Sequence, residues 1–325
     1  MIYAIILALL LIFATPIGIA LMIIGLVYLF VTGKVDAIIA AQRVATGLDS
    51  FPLLAIPFFM LAGSLMNRTG VTTRIFRLAR VCVGHIPGAL GHVNVLASMI
   101  FAGMSGSAVA DAAGLGVIEI KAMTEDGYDM EFSAAITAAS STIGPIIPPS
   151  ISFVVYGLVA GVSIGALFLA GFIPGFLMGL SLMVAVFIIS RKRNYKVHKR
   201  ASFREFMGAL KEALPALMAP ILVVGGILGG IFTPTEAGAF AVLYTLIVGL
   251  LYKEVRISQL PQVILETALT AGNTLFIIAI TSFIGWILTM EQVPVLMAEW
   301  IMKLAPSPVI FLLFLNLLLL FLGCF

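Results

Sequence analysis

The stretch Phe101 to Asp111, FAGMSGSAVAD, decides the fold. It interrupts the apolar segment Gly88 to Ala122 with Ser105, Gly106 and Ser107 near its middle. Arg74, Arg77 and Arg80 stand upstream, and a polar turn, Glu125 to Glu131, follows. Basic residues gather on the cytoplasmic side of a membrane. With both flanks inside, the segment must enter and leave by the same face. The pattern predicts a re-entrant hairpin with its tip at Ser105-Gly106-Ser107. Irregular backbone at that depth is tolerated only where it is buried in protein or lines a cavity.

The rest of the 325 residues demands a membrane. Hydrophobic residues make up 62% and charged residues 10%, against roughly 25% charged in an ordinary globular domain. Residues 1–33, 132–190, 267–290 and 304–325 contain no Asp, Glu, Lys or Arg. Each can span a bilayer, which takes about 20 apolar residues. The chain reads as an all-α polytopic membrane protein. A soluble enzyme, a nucleic-acid binder and a secreted disulfide scaffold are excluded. The net charge of +3 is the usual basic excess of cytoplasmic loops. Cys82 and Cys324 lack metal or redox spacing and read as small core residues. Residues 1–31 are too long for a cleavable signal and read as one transmembrane helix kinked at Pro16 and Gly18.

Arg191 to Arg204 holds seven Lys or Arg and no acid, so it anchors the topology inside. Going forward, Ala213 to Ile231 runs outward and Glu236 to Tyr252 returns. Between them Thr233, Pro234 and Glu236 form a capping box. Thr267 to Met290 goes outward, Pro294 to Leu304 is a short amphipathic arm, and Val309 to Leu322 heads back. Going backward from Arg191, Gly165 to Ser190 enters from outside. Ser133 to Gly161 before it is interrupted by Gly144-Pro-Ile-Ile-Pro-Pro149, which cannot stay helical. This predicts a broken helix. Pro148 and Pro149 lack N–H groups, so the Gly144 and Pro145 carbonyls are expected free.

A repeat emerges from this order. Helix (Phe51 to Asn67), arm (Val71 to Gly84) and Pro-started hairpin arm (Pro87 to Met104) match helix (Thr267 to Met290), arm (Pro294 to Leu304) and Pro-started hairpin arm (Pro308 to Leu322). The second tip is Gly323. The hairpins enter from opposite sides, as in secondary transporters built from inverted repeats with a site between them at the midplane. Lys34 and Arg43 fit least well, since they would lie outside. The expected divisions are 1–86, scaffold helices and cytoplasmic arm; 87–190, hairpin, broken helix and following span; 191–212, basic loop; 213–305, second scaffold and periplasmic arm; and 306–325, the start of the second hairpin.

The run Phe101 to Gly116 resembles the first hairpin of the large membrane subunit of tripartite ATP-independent periplasmic (TRAP) transporters. Gly144 to Ser150 (GPIIPPS), Leu54 to Phe59 (LAIPFF) and Phe232 to Gly238 (FTPTEAG) resemble it too, in order along the chain. The resemblance implies an elevator-type, ion-transporter-superfamily-like fold. It implies sodium-coupled uptake of a carboxylate solute such as a C4-dicarboxylate, sialic acid or another sugar acid. It implies a periplasmic substrate-binding protein and a small four-helix membrane subunit as partners, in the bacterial inner membrane. No cofactor besides Na+ and no nucleic acid is expected. A permease or channel working without a binding protein is the alternative. Members continue beyond the position of Phe325, and the first repeat likewise continues about a hundred residues past its tip. The second hairpin is therefore expected to be cut short.

The candidate residues each have two readings. At Ser105, Gly106 and Ser107 the freed carbonyls and hydroxyls suit a small hard cation, or the small side chains serve packing. The resemblance assigns Ser105, Gly144, Ile147, Pro148 and Pro149 to one sodium site and Gly323 to a second. Ser105, Ser107, Ser150 and Asp111 are the substrate-facing candidates. The helix restarting at Ser150 points its positive end inward, which favours a carboxylate. Asp111 serves ion coupling or stabilises the helix start after Ser107. His85 and His92 are expected to be solvated or hydrogen-bonded near the interface. The glycine sets 157, 161, 165 and 171, 175, 179 each predict a close helix contact on one face.

Overall fold

The structure, a computed structural model, describes residues 2–193, 195–254, 257–304 and 307–323. Fifteen α-helices and no strand occur among them. Five helical segments are long and apolar enough to cross a membrane: Phe51–Arg68, Ile164–Arg193, Phe203–Leu228, Pro234–Leu251 and Ile257–Met290. The chain divides into two compact units, Met1–Asp49 with Gly272–Phe325, and Ser50–Ala271.

In the first unit, α1 (Ile2–Ile12) and α2 (Ile17–Thr32) replace the single kinked helix expected over residues 1–31. Ala14 takes a positive φ of 55°, and the Thr15 N–H closes back on the Leu10 carbonyl. The chain then folds on itself. The Tyr3 and Tyr28 rings lie 5.6 Å apart, where a continuous helix would separate them by about 38 Å. Pro16 thus ends a turn rather than bending a span.

α3 (Ala37–Thr46) follows, and α2 packs along α13 (Leu260–Met290). A side chain at Gly25 would run into the Phe283 ring, and one at Gly18 into Phe276. Lys34 pairs with Glu291 at 2.5 Å, Tyr28 donates to the same carboxylate, and Arg43 lies over the Trp286 ring at 5.1 Å. Lys34 and Arg43 therefore sit at the Met290 end of α13, each with a partner. The Lys34 ammonium and the Glu291 carboxylate hold each other charged, raising the one pKa and lowering the other by their hydrogen bond. α14 (Val293–Leu304) and α15 (Pro308–Leu322) complete this unit, with Ser307 capping the Ile310 N–H. Cys324 lies outside the described residues.

The second unit opens with a 3-10 turn over Phe51–Leu54 and α4 (Ala55–Arg68), followed by α5 (Val71–Val83). α5 is amphipathic: Val71, Ile75, Leu78 and Ala79 are buried. Arg74 and Arg77 reach Glu254 and Glu212 at 2.8 and 2.5 Å. α6 (Ala89–Ser105) and α7 (Ala108–Glu125) form the expected hairpin. Its base is closed where the Leu90 N–H donates to the Tyr128 hydroxyl at 3.3 Å. The broken helix is α8 (Met130–Ser141) and α9 (Ile151–Ala160), and α10 (Ile164–Arg193) returns past it. α11 (Phe203–Leu228) and α12 (Pro234–Leu251) follow.

Both helix starts here carry full capping boxes, Ser202 with Glu205 and Thr233 with Glu236. Only the second is anticipated from the sequence. The Ser202 N–H and hydroxyl donate to the Glu205 carboxylate, and those of Thr233 to Glu236. The Thr235 hydroxyl donates to the Phe51 carbonyl at 2.8 Å, joining the FTPTEAG start to the LAIPFF segment.

The basic segment after α10 is fastened to the turn before α8. Arg193 and Tyr195 both donate to Asp129, His198 lies 3.2 Å from Asp126, and the Tyr128 and Tyr195 rings stack at 4.1 Å. Hairpin base, polar turn and basic segment thus share one level, as the charge rule requires.

The glycine sets behave differently. Gly171, Gly175 and Gly179 lie on α10, where added side chains would meet Ile146 and Phe153, Ile147, and Met99. This is the expected close face. Gly157, Gly161 and Gly165 do not share a helix. Gly161 ends α9 with φ +65° and nothing within 4 Å of an added Cβ.

Candidate functional site

The two irregular segments meet. α6 ends at Gly106, whose φ of 60° and ψ of 15° place it in the left-handed region. Its N–H bonds back to the Ala102 carbonyl at 3.2 Å. An added Cβ would overlap the Pro149 carbonyl oxygen. A Cβ on Gly144 would lie 3.1 Å from the Ser107 carbonyl, and one on Gly103 3.7 Å from the Pro148 oxygen. Glycine is required at Gly106 by both conformation and approach. Residues 103–107 and 144–149 form one junction, bringing together segments that the family resemblance had placed at one site.

α4 closes another side of this junction. A Cβ on Gly63 would stand 3.2 Å from Ser105 Cα, and Asn67 Nδ2 donates to the Ala110 carbonyl at 3.3 Å. Ser105, Pro148, Pro149 and Ser150 are buried, as is Ile147, while Ser107 is half-buried. The Ser107 hydroxyl accepts from the Ala110 N–H, and the Ser150 hydroxyl from the Phe153 N–H. Both serines therefore cap helices that start at the junction, α7 and α9.

One expected carbonyl is not free. The Ser150 hydroxyl donates to the Pro145 carbonyl. The Gly144 carbonyl accepts no hydrogen bond among the described residues, as the missing N–H of Pro148 requires. The Pro148–Pro149 peptide is cis.

The electrostatics follow from helix ends. α6 and α8 present their negative C-terminal ends to the junction, and α7 and α9 their positive N-terminal ends. Carbonyls suited to a cation and N-termini suited to an anion are thus side by side. Gly323 ends α15, in the other unit.

Behind the tip runs a buried polar seam that sequence reading missed. Asn94 Nδ2 donates to the Thr137 hydroxyl at 2.6 Å, Ser140 to Asn94 Oδ1 at 2.7 Å, and Ser98 to Ser140 at 3.1 Å. Asp111, 1% exposed, and Glu119, 0% exposed, lie two turns apart on the same face of α7. Neither Glu119 oxygen has a hydrogen-bond partner among the described residues. Of the two alternatives expected for His92, solvated or hydrogen-bonded, burial removes the first, because α6 is enclosed along nearly its whole length. The signal was present as spacing: Asn94 and Ser98, and Thr137 with Ser140 and Ser141, each share a helix face. Among the described residues no group of three His, Cys, Asp or Glu could hold a metal ion.

An apolar cavity of about 480 Å³ flanks the junction, lined by Met99, Gly103, Pro148, Phe172, Pro220 and Val224 among others. No polar side chain among the described residues lines it. Cys82, expected in the core, is only half-buried.

Residues 4–325 match the family model described as tripartite ATP-independent periplasmic transporter, DctM component. The chain is 46% identical, over 95% of its length and 73% of the relative's, to the sialic acid TRAP transporter large permease protein SiaM of Vibrio cholerae. It is 42% identical to the sialic acid TRAP transporter permease protein SiaT of Haemophilus influenzae, covering 95% of the chain and 50% of that relative. It is 39% identical to the C4-dicarboxylate TRAP transporter large permease protein DctM of Pseudomonas aeruginosa, covering 85% and 65%. The chain thus spans between half and about three quarters of the lengths of these relatives.

Proposed function

The chain belongs to the DctM-component family of tripartite ATP-independent periplasmic transporters, multi-pass proteins of the bacterial inner membrane whose members are permeases and not enzymes; from that premise we propose that it carries carboxylate solutes in symport with sodium. The observation that carries the reading is the junction of the Gly106 tip with the broken helix at Gly144 to Pro149. Na+ is held there by backbone oxygens of Ser105, Gly144, Ile147, Pro148 and Pro149. Gly106 keeps the tip unwound, and the Ser107 side chain completes the turn. Two helix N-termini at the same point favour the solute carboxylate.

The division of labour follows from the residues. Ser107, half-buried, is the candidate that faces the solute directly. Ser105, Ser150 and Asp111 are enclosed and act by shaping the junction. Gly323 belongs to the matching second hairpin and its own sodium site. A small four-helix membrane subunit and a periplasmic binding protein work with this chain, and the binding protein selects which acid is delivered. Two relatives that differ in solute, sialic acid and C4-dicarboxylate, share a carboxylate. Movement of the hairpin and broken helix together, as an elevator, exposes the junction alternately to the two sides.

The test is a thermal-unfolding titration of the purified permease in detergent. Na+ in the millimolar range should raise the unfolding temperature, and K+ at equal ionic strength should not. Equal responses to the two ions would remove the sodium site from the account.

A further inference from the structure

A cavity of about 640 Å³ opens between α5 and the segment leading into α11. Its lining includes Arg77, Arg80, Lys199, Arg200, Ser202 and Glu205. Arg77 is engaged by Glu212 at 2.5 Å. The Glu205 carboxylate is taken up by the capping box, accepting from the Ser202 N–H and hydroxyl at 2.7 and 2.9 Å. That leaves Arg80, Lys199 and Arg200 without an ion pair among the described residues. Three cations around one concavity lack an anion.

A second cavity of mixed polar and apolar lining adjoins it. This neighbouring space of about 410 Å³ shares Val81, Arg200 and Ser202 with the first, and adds Cys82, Phe203 and Phe206. Phe203 is 78% exposed and Met207 is 45% exposed on the first turns of α11. A basic pocket opening onto exposed apolar side chains, at the level of the basic segment, matches a headgroup with acyl chains attached. A soluble anion would use only the first half of this surface.

We propose that this pocket binds the phosphate headgroup of an anionic phospholipid of the cytoplasmic leaflet, with Arg80, Lys199 and Arg200 on the phosphate and Phe203 and Phe206 against the chains. The charge complementarity is that of basic pockets between membrane helices that face the cytoplasm. Bound there, the lipid would tie the amphipathic arm α5 to the start of α11.

The test is a native mass-spectrometry titration of the delipidated permease with phosphatidylglycerol, with phosphatidylcholine and with inorganic phosphate. The wild-type chain should retain phosphatidylglycerol in preference to phosphatidylcholine. Arg80→Gln, Lys199→Gln and Arg200→Gln should each weaken that preference about fivefold, the equivalent of ~1 kcal/mol per basic residue at an anionic surface. Arg80→Lys should keep it, as should Lys121→Gln, a charge removed elsewhere on the surface. An unchanged preference in the triple glutamine variant would overturn the proposal. So would inorganic phosphate displacing the lipid at equal concentration, which would assign the pocket to a soluble anion. Loss in Arg80→Lys equal to that in Arg80→Gln would reduce Arg80 to a packing role and overturn it as well.

Discussion

Replacing Gly106 with alanine separates conformation from contact, because a second glycine serves as its control. Gly106 and Gly161 have nearly the same φ, +60° and +65°. Nothing lies within 4 Å of a Cβ at Gly161, whereas a Cβ at Gly106 overlaps the Pro149 carbonyl oxygen. Gly161→Ala therefore meets only the left-handed penalty, about 1–2 kcal/mol. Gly106→Ala meets that penalty and a backbone overlap that no rotamer change relieves. Overpacking of that kind costs about 1–3 kcal/mol more, so the tip must draw away from the broken helix. In detergent, Gly161→Ala should lower the unfolding temperature modestly and keep the sodium-induced rise. Gly106→Ala should lower it further and lose the sodium-induced rise. Equal losses in the two variants, with equal sodium responses, would refute the junction as the ion site.

Two further outcomes follow from other parts of the chain. Glu119 is fully buried with two unpartnered oxygens, so Glu119→Met, which keeps the volume and removes those oxygens, should raise thermal stability by roughly 1–3 kcal/mol; a lowered unfolding temperature would reveal a partner for the carboxyl. Burial at the hairpin base pushes the Tyr128 phenol up to about 12, so the neutral form is favoured in the folded chain. Its contribution to stability should be complete below pH 10 and fall away as pH rises toward 12. Difference absorbance at 295 nm between wild type and Tyr128→Phe reports that ionisation, and a phenol titrating near 10 would contradict the closed base.

The parts of this fold that were legible in sequence are those where single residues dictate the backbone. Pro148 and Pro149 break α8 from α9, Gly106 turns the hairpin, and Thr233 with Glu236 caps α12. Each acts locally, whatever surrounds it. The charge rule placed the hairpin base, the polar turn and the basic segment on one side, and their mutual bonds agree. What was hidden depends on neighbours. Residues 1–31 are so uniformly apolar that one long helix and two short ones share the same pattern; Ala14 and the Thr15 N–H settle it through a turn. The polar seam needs α6, α7 and α8 side by side before Asn94, Thr137 and Ser140 find one another. The same holds for His92 and Glu119, whose burial comes from what packs over them.

Gly157 and Gly165 fell on different helices because Gly161 ends α9. Spacing alone treated the turn between them as helix. The meeting of residues 103–107 with 144–149 was expected from the family resemblance and not from spacing or composition, and its geometry depends on the packing of Gly103, Gly106 and Gly144.

Coupling to sodium is tested most directly by exchanging the driving ion. The permease would be reconstituted in proteoliposomes with its small subunit and binding protein, and uptake of a labelled carboxylate followed under an inward Na+ gradient or an inward H+ gradient. The account predicts uptake with the Na+ gradient and none with the pH gradient in sodium-free buffer. Uptake driven by the pH gradient alone would contradict it.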